Sequence, residues 1–173
     1  MRALVLTAFV CCLAGCGEAP AEKKTERAAA IAPGQWELAS EVTGFRQTDT
    51  GRPSIATPVG TRATASVCVG AGSELPTAYF AGEGYRCAYG TGSYYVHGGR
   101  INLTMTCTRE GLTGNIAMSV EGTFQSGSAE FRRNLRTILV SDGDVEIDSR
   151  VTGRRTGDCT PDAGGSEGSN KQG

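Results

Sequence analysis

INLTMTCTREGLTGNIAMSV, residues 101–120, is two apolar-polar alternations separated by a glycine-containing break. A period of two puts alternate side chains on opposite faces of a strand, so Ile101, Leu103 and Met105 share one face and Asn102, Thr104 and Thr106 the other. Setting Glu110-Gly111 at the turn pairs Met105 with Ile116, Leu103 with Met118 and Ile101 with Val120. A one-residue slip would send each of these side chains to the opposite face, so the match of apolar with apolar predicts a half-buried antiparallel hairpin.

The same reasoning extends downstream. A turn at Ser126-Gly127 sets Phe124 against Ala129, Gly122 against Phe131 and Met118 against Leu135, with Phe131 covering the side-chain-free strand position at Gly122. Asp142-Gly143 is a strong two-residue hairpin signal that pairs Val140 with Val145 and Ile138 with Ile147. These two registers disagree about which face of 128–140 is apolar. A β-bulge near Arg136-Thr137 reconciles them, and a central strand covered on both faces is the alternative. Upstream, Trp36, Leu38, Ser40 and Val42 alternate in QWELASEV, and Tyr85 to Val96 reads as a strand ending at a Gly98-Gly99 turn. SELPTAYF, residues 73–80, has room for one short helix limited by Pro76. The fold class is all-β: an antiparallel meander of long twisted strands, open or barrel-like, with at most one short helix near 73–80.

The ends of the chain read differently. Arg2 followed by the apolar Ala3 to Leu13 is too short to span a bilayer and reads as a secretory signal. Leu13-Ala14-Gly15-Cys16 resembles a bacterial lipobox, which implies cleavage after residue 15 and an acylated Cys16 as the mature N-terminus. Stable anchoring needs two membrane signals, which several acyl chains supply, so the expectation is a membrane tether without a transmembrane helix. Gly17 stands where, by analogy with lipoprotein sorting, an Asp would favour the inner membrane; the periplasmic face of the outer membrane is expected. Residues 16–32 form a solvated tether, 33–159 a single β domain, and 160–173, with no hydrophobe larger than Ala, a disordered tail. Loss of residues 1–15 leaves sixteen Lys and Arg against eighteen Asp and Glu, which is no footprint for nucleic acid.

Four segments resemble a family. Pro33-Gly34-Gln35-Trp36-Glu37, the cysteine in Ser66-Val67-Cys68-Val69, Met105-Thr106-Cys107 with Gly114 after it, and Gly153-Arg154-Arg155-Thr156-Gly157-Asp158-Cys159 together are similar to a bacterial family known as domain of unknown function 3617, small exported proteins that are often lipoproteins. The resemblance spans nearly all of the expected domain and implies fold and location. The loop Phe45 to Thr61 keeps the family's prolines but lacks its methionines.

Catalytic chemistry finds little foothold. The one histidine, His97, lies beside Gly98-Gly99 in a turn, with no nucleophile or orienting acid implied by its position. Asp144, Glu146 and Asp148 begin like a calcium loop, but Ile147 stands where the tight-turn glycine belongs and the twelfth position has no chelating Glu. Cys68, Cys87, Cys107 and Cys159 are spaced by 19, 20 and 52 residues, without a zinc knuckle. No metal or cofactor is expected. Arg132, Arg133, Arg136, Arg150, Arg154 and Arg155 fall on neighbouring strands as a candidate anion-binding patch, or as cross-strand partners of nearby acids. Tyr79, Tyr85, Tyr89, Tyr94 and Tyr95 offer a second surface.

In an exported chain the four domain cysteines pair as disulfides. Hairpin order places Cys87 and Cys107 at one end of the sheet and Cys159 at the other, so the expected bridges are Cys87 with Cys107 and Cys68 with Cys159. A two-residue Gly98-Gly99 turn would put Cys87 and Cys107 on opposite faces, so that pair also requires an odd-length loop or a bulge. The function expected is a non-enzymatic, lipid-anchored envelope module binding a small apolar or amphipathic ligand or an envelope partner. A purely structural or assembly role comes second, and a carboxylate-based hydrolase third.

Overall fold

The computed structural model describes residues 30–53, 55–140 and 143–159. The signal segment, Cys16, the tether up to residue 29 and the tail from residue 160 lie outside the described residues. Seven strands form one antiparallel sheet: β1 (Gly34–Gln47), β2 (Arg62–Val69), β3 (Tyr85–His97), β4 (Arg100–Arg109), β5 (Gly114–Gln125), β6 (Ser128–Leu139) and β7 (Val145–Gly157), with one helical turn, α1 (Ala78–Ala81). Their order across the sheet is β2-β1-β7-β6-β5-β4-β3. Five strands, β3 to β7, therefore run as consecutive hairpins, and the β1-β2 hairpin adds to the free side of β7. The sheet is open. Its edges are β2 and β3, and the 70–84 connection passes from one to the other, carrying α1 in contact with both.

Alternation builds a single core on the inner face. Trp36, Leu38, Val42, Ile101, Leu103, Met105, Ile116, Met118, Val120, Phe131, Leu135, Val145, Ile147 and Val151 are buried there, covered by Tyr79 and Phe80 of α1. Pro76 presets the chain before α1, the amides of Tyr79 and Phe80 bond back to Pro76 and Thr77, and Gly82 ends the turn at φ 78°. Ile31 and Ala32, assigned to the tether by sequence, belong to this fold. Ile31 is buried, the Ala32 amide donates to Ser126 at 2.8 Å, and the Ala32 carbonyl accepts from the Trp36 indole at 3.0 Å. A fully buried indole N–H needs an acceptor, and the residues just before β1 supply it.

The β5-β6 register is the expected one, with Gly122 opposite Phe131 and Met118 opposite Leu135. Two other registers differ. In β4-β5, Met105 faces Met118 and Leu103 faces Val120, a slip of two residues that keeps every side chain on its expected face because two is the strand period. In β6-β7, Leu135, not Ile138, faces Ile147, and no bulge interrupts β6 at Arg136-Thr137. The reason is local: the Asp144 carboxylate accepts from the Leu139 amide at 2.8 Å and the Thr137 hydroxyl at 3.0 Å, and the Val145 amide donates to Thr137 Oγ1 at 2.8 Å. β6 ends at Leu139 and β7 begins at Val145, so the connection is longer than the expected Asp142-Gly143 two-residue turn, of which Asp142 lies outside the described residues. Ile138 and Val140 consequently point outward, 56% and 77% exposed, while Thr137 takes the buried position.

Both disulfides have the expected partners. Cys87 and Cys107 are directly opposite in β3-β4, Cα atoms 4.0 Å apart, and Cys68 meets Cys159 with Cα atoms 5.5 Å apart. The Gly98-Gly99 turn has two residues, with His97 opposite Arg100, and the parity is restored by an irregularity between Tyr89 and Tyr94. Gly92, at φ 68°, lets the chain bulge there.

Candidate functional site

The crossing segment 70–84 is fastened unequally to the two edges. On the β3 side, the Tyr89 hydroxyl donates to the Leu75 carbonyl at 2.7 Å and the Leu75 amide donates to the Tyr94 hydroxyl at 2.9 Å. The two rings meet edge-on at 4.8 Å. Burial raises the pKa of both phenols, Tyr94 and Glu74 reinforcing the rise at Tyr89. Deeper in the core, Tyr79 packs edge-on against Trp36 at 5.4 Å and Phe80 against Phe131 at 5.5 Å. Room for Tyr79 comes from Gly153, where a β-carbon would sit 2.9 Å from Leu38 Cδ2 and 3.2 Å from the Tyr79 hydroxyl. That hydroxyl is buried with no hydrogen-bond partner among the described residues, and its pKa is also raised by burial.

On the β2 side the inner positions beside the cleft are small, whereas Val67 and Val69 pack into the core. Ala63 faces Ser40 and Ala65 faces Leu38 across β1-β2, and a cleft of about 210 Å³ remains between this edge and α1. Leu38, Val151, Tyr79 and Phe80 give it apolar walls, Ser40 and Tyr85 line it, and Glu83 lies exposed at its rim. Arg133 enters from β6. Its Nη1 donates to the carbonyls of Phe80 at 3.1 Å and Ala81 at 2.7 Å, which the single helical turn leaves without amide partners. Burial lowers its pKa, since desolvation disfavours the charged form. Among the described residues no carboxylate lies within ion-pair distance of Arg133, and no protein group accepts from Nε or Nη2.

The candidate arginine patch is thereby divided. Arg133 and Arg155 face inward, Arg155 Nε donating to the Pro33 carbonyl at 2.7 Å and its Nη2 pairing with Asp158. Arg132, Arg136, Arg150 and Arg154 stay on the outer face, where each has an acidic cross-strand neighbour: Glu121 faces Arg132, Glu146 faces Arg136, and Glu41 and Glu37 face Arg150 and Arg154, while the one basic pairing is Arg132 with Arg150. The period of two in Phe131, Arg133, Leu135 and Thr137 is the signal that turns Arg133 inward. Glu146 and Asp148 share the Asn134 amide, at 2.8 and 2.9 Å, and Glu146 also pairs with Arg46; the Asn134 bond leads in holding the Glu146 pKa low. Asp144 is taken up by the β6-β7 connection. Tyr95 and His97 are exposed on the outer face, whereas Tyr79, Tyr85, Tyr89 and Tyr94 are inward, so the tyrosines form no single surface.

A larger depression of about 1100 Å³ opens on the outer face, bordered by Arg100, Asn102, Glu121, Glu130, Thr152 and Arg154. It is open to solvent and carries both charge signs. The smaller cleft is the better candidate, because apolar walls and a desolvated cation converge there.

Residues 31–159 match the family model described as "Protein of unknown function (DUF3617)". The chain belongs to this family. No curated protein and no solved structure matches it. In this DUF3617 protein the four domain cysteines and the β1 tryptophan frame the cleft: Trp36 supports Tyr79, and the disulfides tie β3 to β4 and β2 to the end of β7.

Proposed function

We propose that the protein is a non-enzymatic module of the bacterial cell envelope, held by acyl chains on Cys16 at the periplasmic face of the outer membrane, that binds a small amphipathic ligand at the seam between β2 and α1. The observation that carries the binding half is the cleft itself, with Leu38, Val151, Tyr79 and Phe80 as walls and Arg133 as its polar group. Support for the location comes from the lipobox-like Leu13-Ala14-Gly15-Cys16 and from two disulfides, which persist in oxidising compartments. Among the described residues no helix is long and apolar enough to cross a membrane, and the tether to Cys16 would serve as the attachment.

One carboxylate, Glu83, borders the cleft, whereas hydrolysis by carboxylates calls for a pair. The interior under α1 is filled by Trp36, Tyr79, Phe80 and Phe131, which favours, as a second reading, a structural lipoprotein without a ligand. Native mass spectrometry of the chain released from its own envelope separates the two. A bound small amphiphile is expected; a bare chain or a protein partner alone contradicts the ligand reading. Fatty-acid labelling tests the anchor independently: label is expected on the parent chain and absent from Cys16→Ser, and equal labelling of both contradicts acylation at Cys16.

A further inference from the structure

The charge balance of the cleft points to the chemistry of its occupant. Arg133 stands on the inner face of β6 between Phe131 and Leu135, both buried, so its guanidinium is placed against apolar surroundings. A cation taken out of water is costly unless it is paired and its donors are satisfied. Here one nitrogen, Nη1, serves two backbone carbonyls, which are dipoles and not a counter-charge. Nε and Nη2 have no protein acceptor among the described residues and are not sealed off, and the residue borders the cleft. The planar fork of a guanidinium matches two oxygens of a carboxylate or phosphate.

We propose that the seam cleft binds an amphiphile with an anionic oxygen head group, a carboxylate or a phosphate monoester, the head on Nε and Nη2 of Arg133 and the alkyl chain against Leu38, Ala65, Tyr79 and Phe80. This rests on the cleft being the ligand site. At about 30 Å³ per water-sized group, about 210 Å³ holds roughly seven such groups, head group included, so the first few carbons are enclosed and the rest of the chain continues out between β2 and α1. Glu83 opposes the anion only weakly, because it is exposed and screened.

The test titrates the chain bearing Cys16→Ser, which needs no detergent, with octanoate, octyl phosphate and octanol by calorimetry. At least one anion is expected to bind tenfold or more tightly than octanol, and the preferred anion identifies the head group. Arg133→Gln is expected to erase that preference, so that within the variant the anions bind no more tightly than octanol; a preference retained by the variant overturns the assignment of the head group to Arg133. Since Arg133 also holds α1, near-ultraviolet circular dichroism checks the fold, and Ala65→Phe, which leaves Arg133 in place, is expected to abolish binding of all three. Equal binding of octanol and both anions overturns the anionic head group and leaves the apolar cleft standing. Binding of none of the three, or binding indifferent to Ala65→Phe, overturns both.

Discussion

Along β3, long inner side chains reach the crossing segment and hold it; along β2, short ones do not. Tyr89 and Tyr94 bond both backbone groups of Leu75 and press their rings together, so the β3 edge is closed by the chain's own connection. On β2 the inner positions that border the cleft are Ala63 and Ala65, while Val67 and Val69 join the core; at the two alanines the connection stands off, with Arg133 and the cleft between. An open sheet need not leave two equivalent edges. Side-chain length at a few inward positions decides which edge is sealed and which remains accessible to a ligand.

The largest test of that contrast is on the disulfides, because one pins each edge. Cys68–Cys159 closes a separation of 91 residues and Cys87–Cys107 one of 20. Chain entropy assigns about 4 to 5 kcal/mol to the first and about 3 kcal/mol to the second. Urea unfolding of Cys68→Ser/Cys159→Ser is therefore expected to show the greater loss. The reverse order would mean that the sealed β3 edge depends on its bridge more than on the tyrosine clamp.

The clamp comes next in size. Tyr89→Phe with Tyr94→Phe removes two hydrogen bonds to Leu75, at about 1 kcal/mol each, and is expected to cost about 2 kcal/mol and to speed proteolysis within 70–77. Both phenols have pKa values raised in the folded state, mainly by burial, so the folded protein favours the neutral form. Their contribution is complete below the unfolded tyrosine pKa of about 10 and is lost as pH rises above it towards the folded values. The double variant is expected to lose less stability than the parent between neutral pH and pH about 11, as read by the urea midpoint. An identical alkaline loss would contradict the clamp.

Tyr79→Phe is the smallest change and has the opposite sign. Its hydroxyl is buried without a partner, so removing it is expected to raise stability by about 1 kcal/mol. A loss of stability would show that the hydroxyl is satisfied at the boundary between the two edges.

What could be read from the sequence follows the range of the interaction that decides it. Phe131 over Gly122 fixes β5-β6 because a short turn transmits register directly. The β6-β7 register slipped because the Asp144 carboxylate, bonding Thr137 and Leu139, builds a longer connection that no dipeptide signal announces. Hairpin directions were enough to pair the cysteines, once a bulge at Gly90–Ser93 supplied the missing parity. The pairing of β1 with β7 and the placement of α1 depend on contacts far apart in sequence, and the cleft exists only where those meet. The alternation of Arg133 with Phe131 and Leu135 marks it as an inward cation, although Arg132 and Arg136 beside it in sequence belong to the outer face.

The most direct measurement is of where an amphiphile touches the molecule. Amide chemical-shift mapping of the chain with octanoate is expected to move resonances of Ala63, Ala65, Phe80, Ala81, Tyr85 and Arg133, which border the seam, and to leave Leu75 and the clamp residues Tyr89 and Tyr94 unchanged. Shifts confined to Arg100, Glu121, Thr123, Thr152 and Arg154 on the outer face, or no shifts at all, would contradict it.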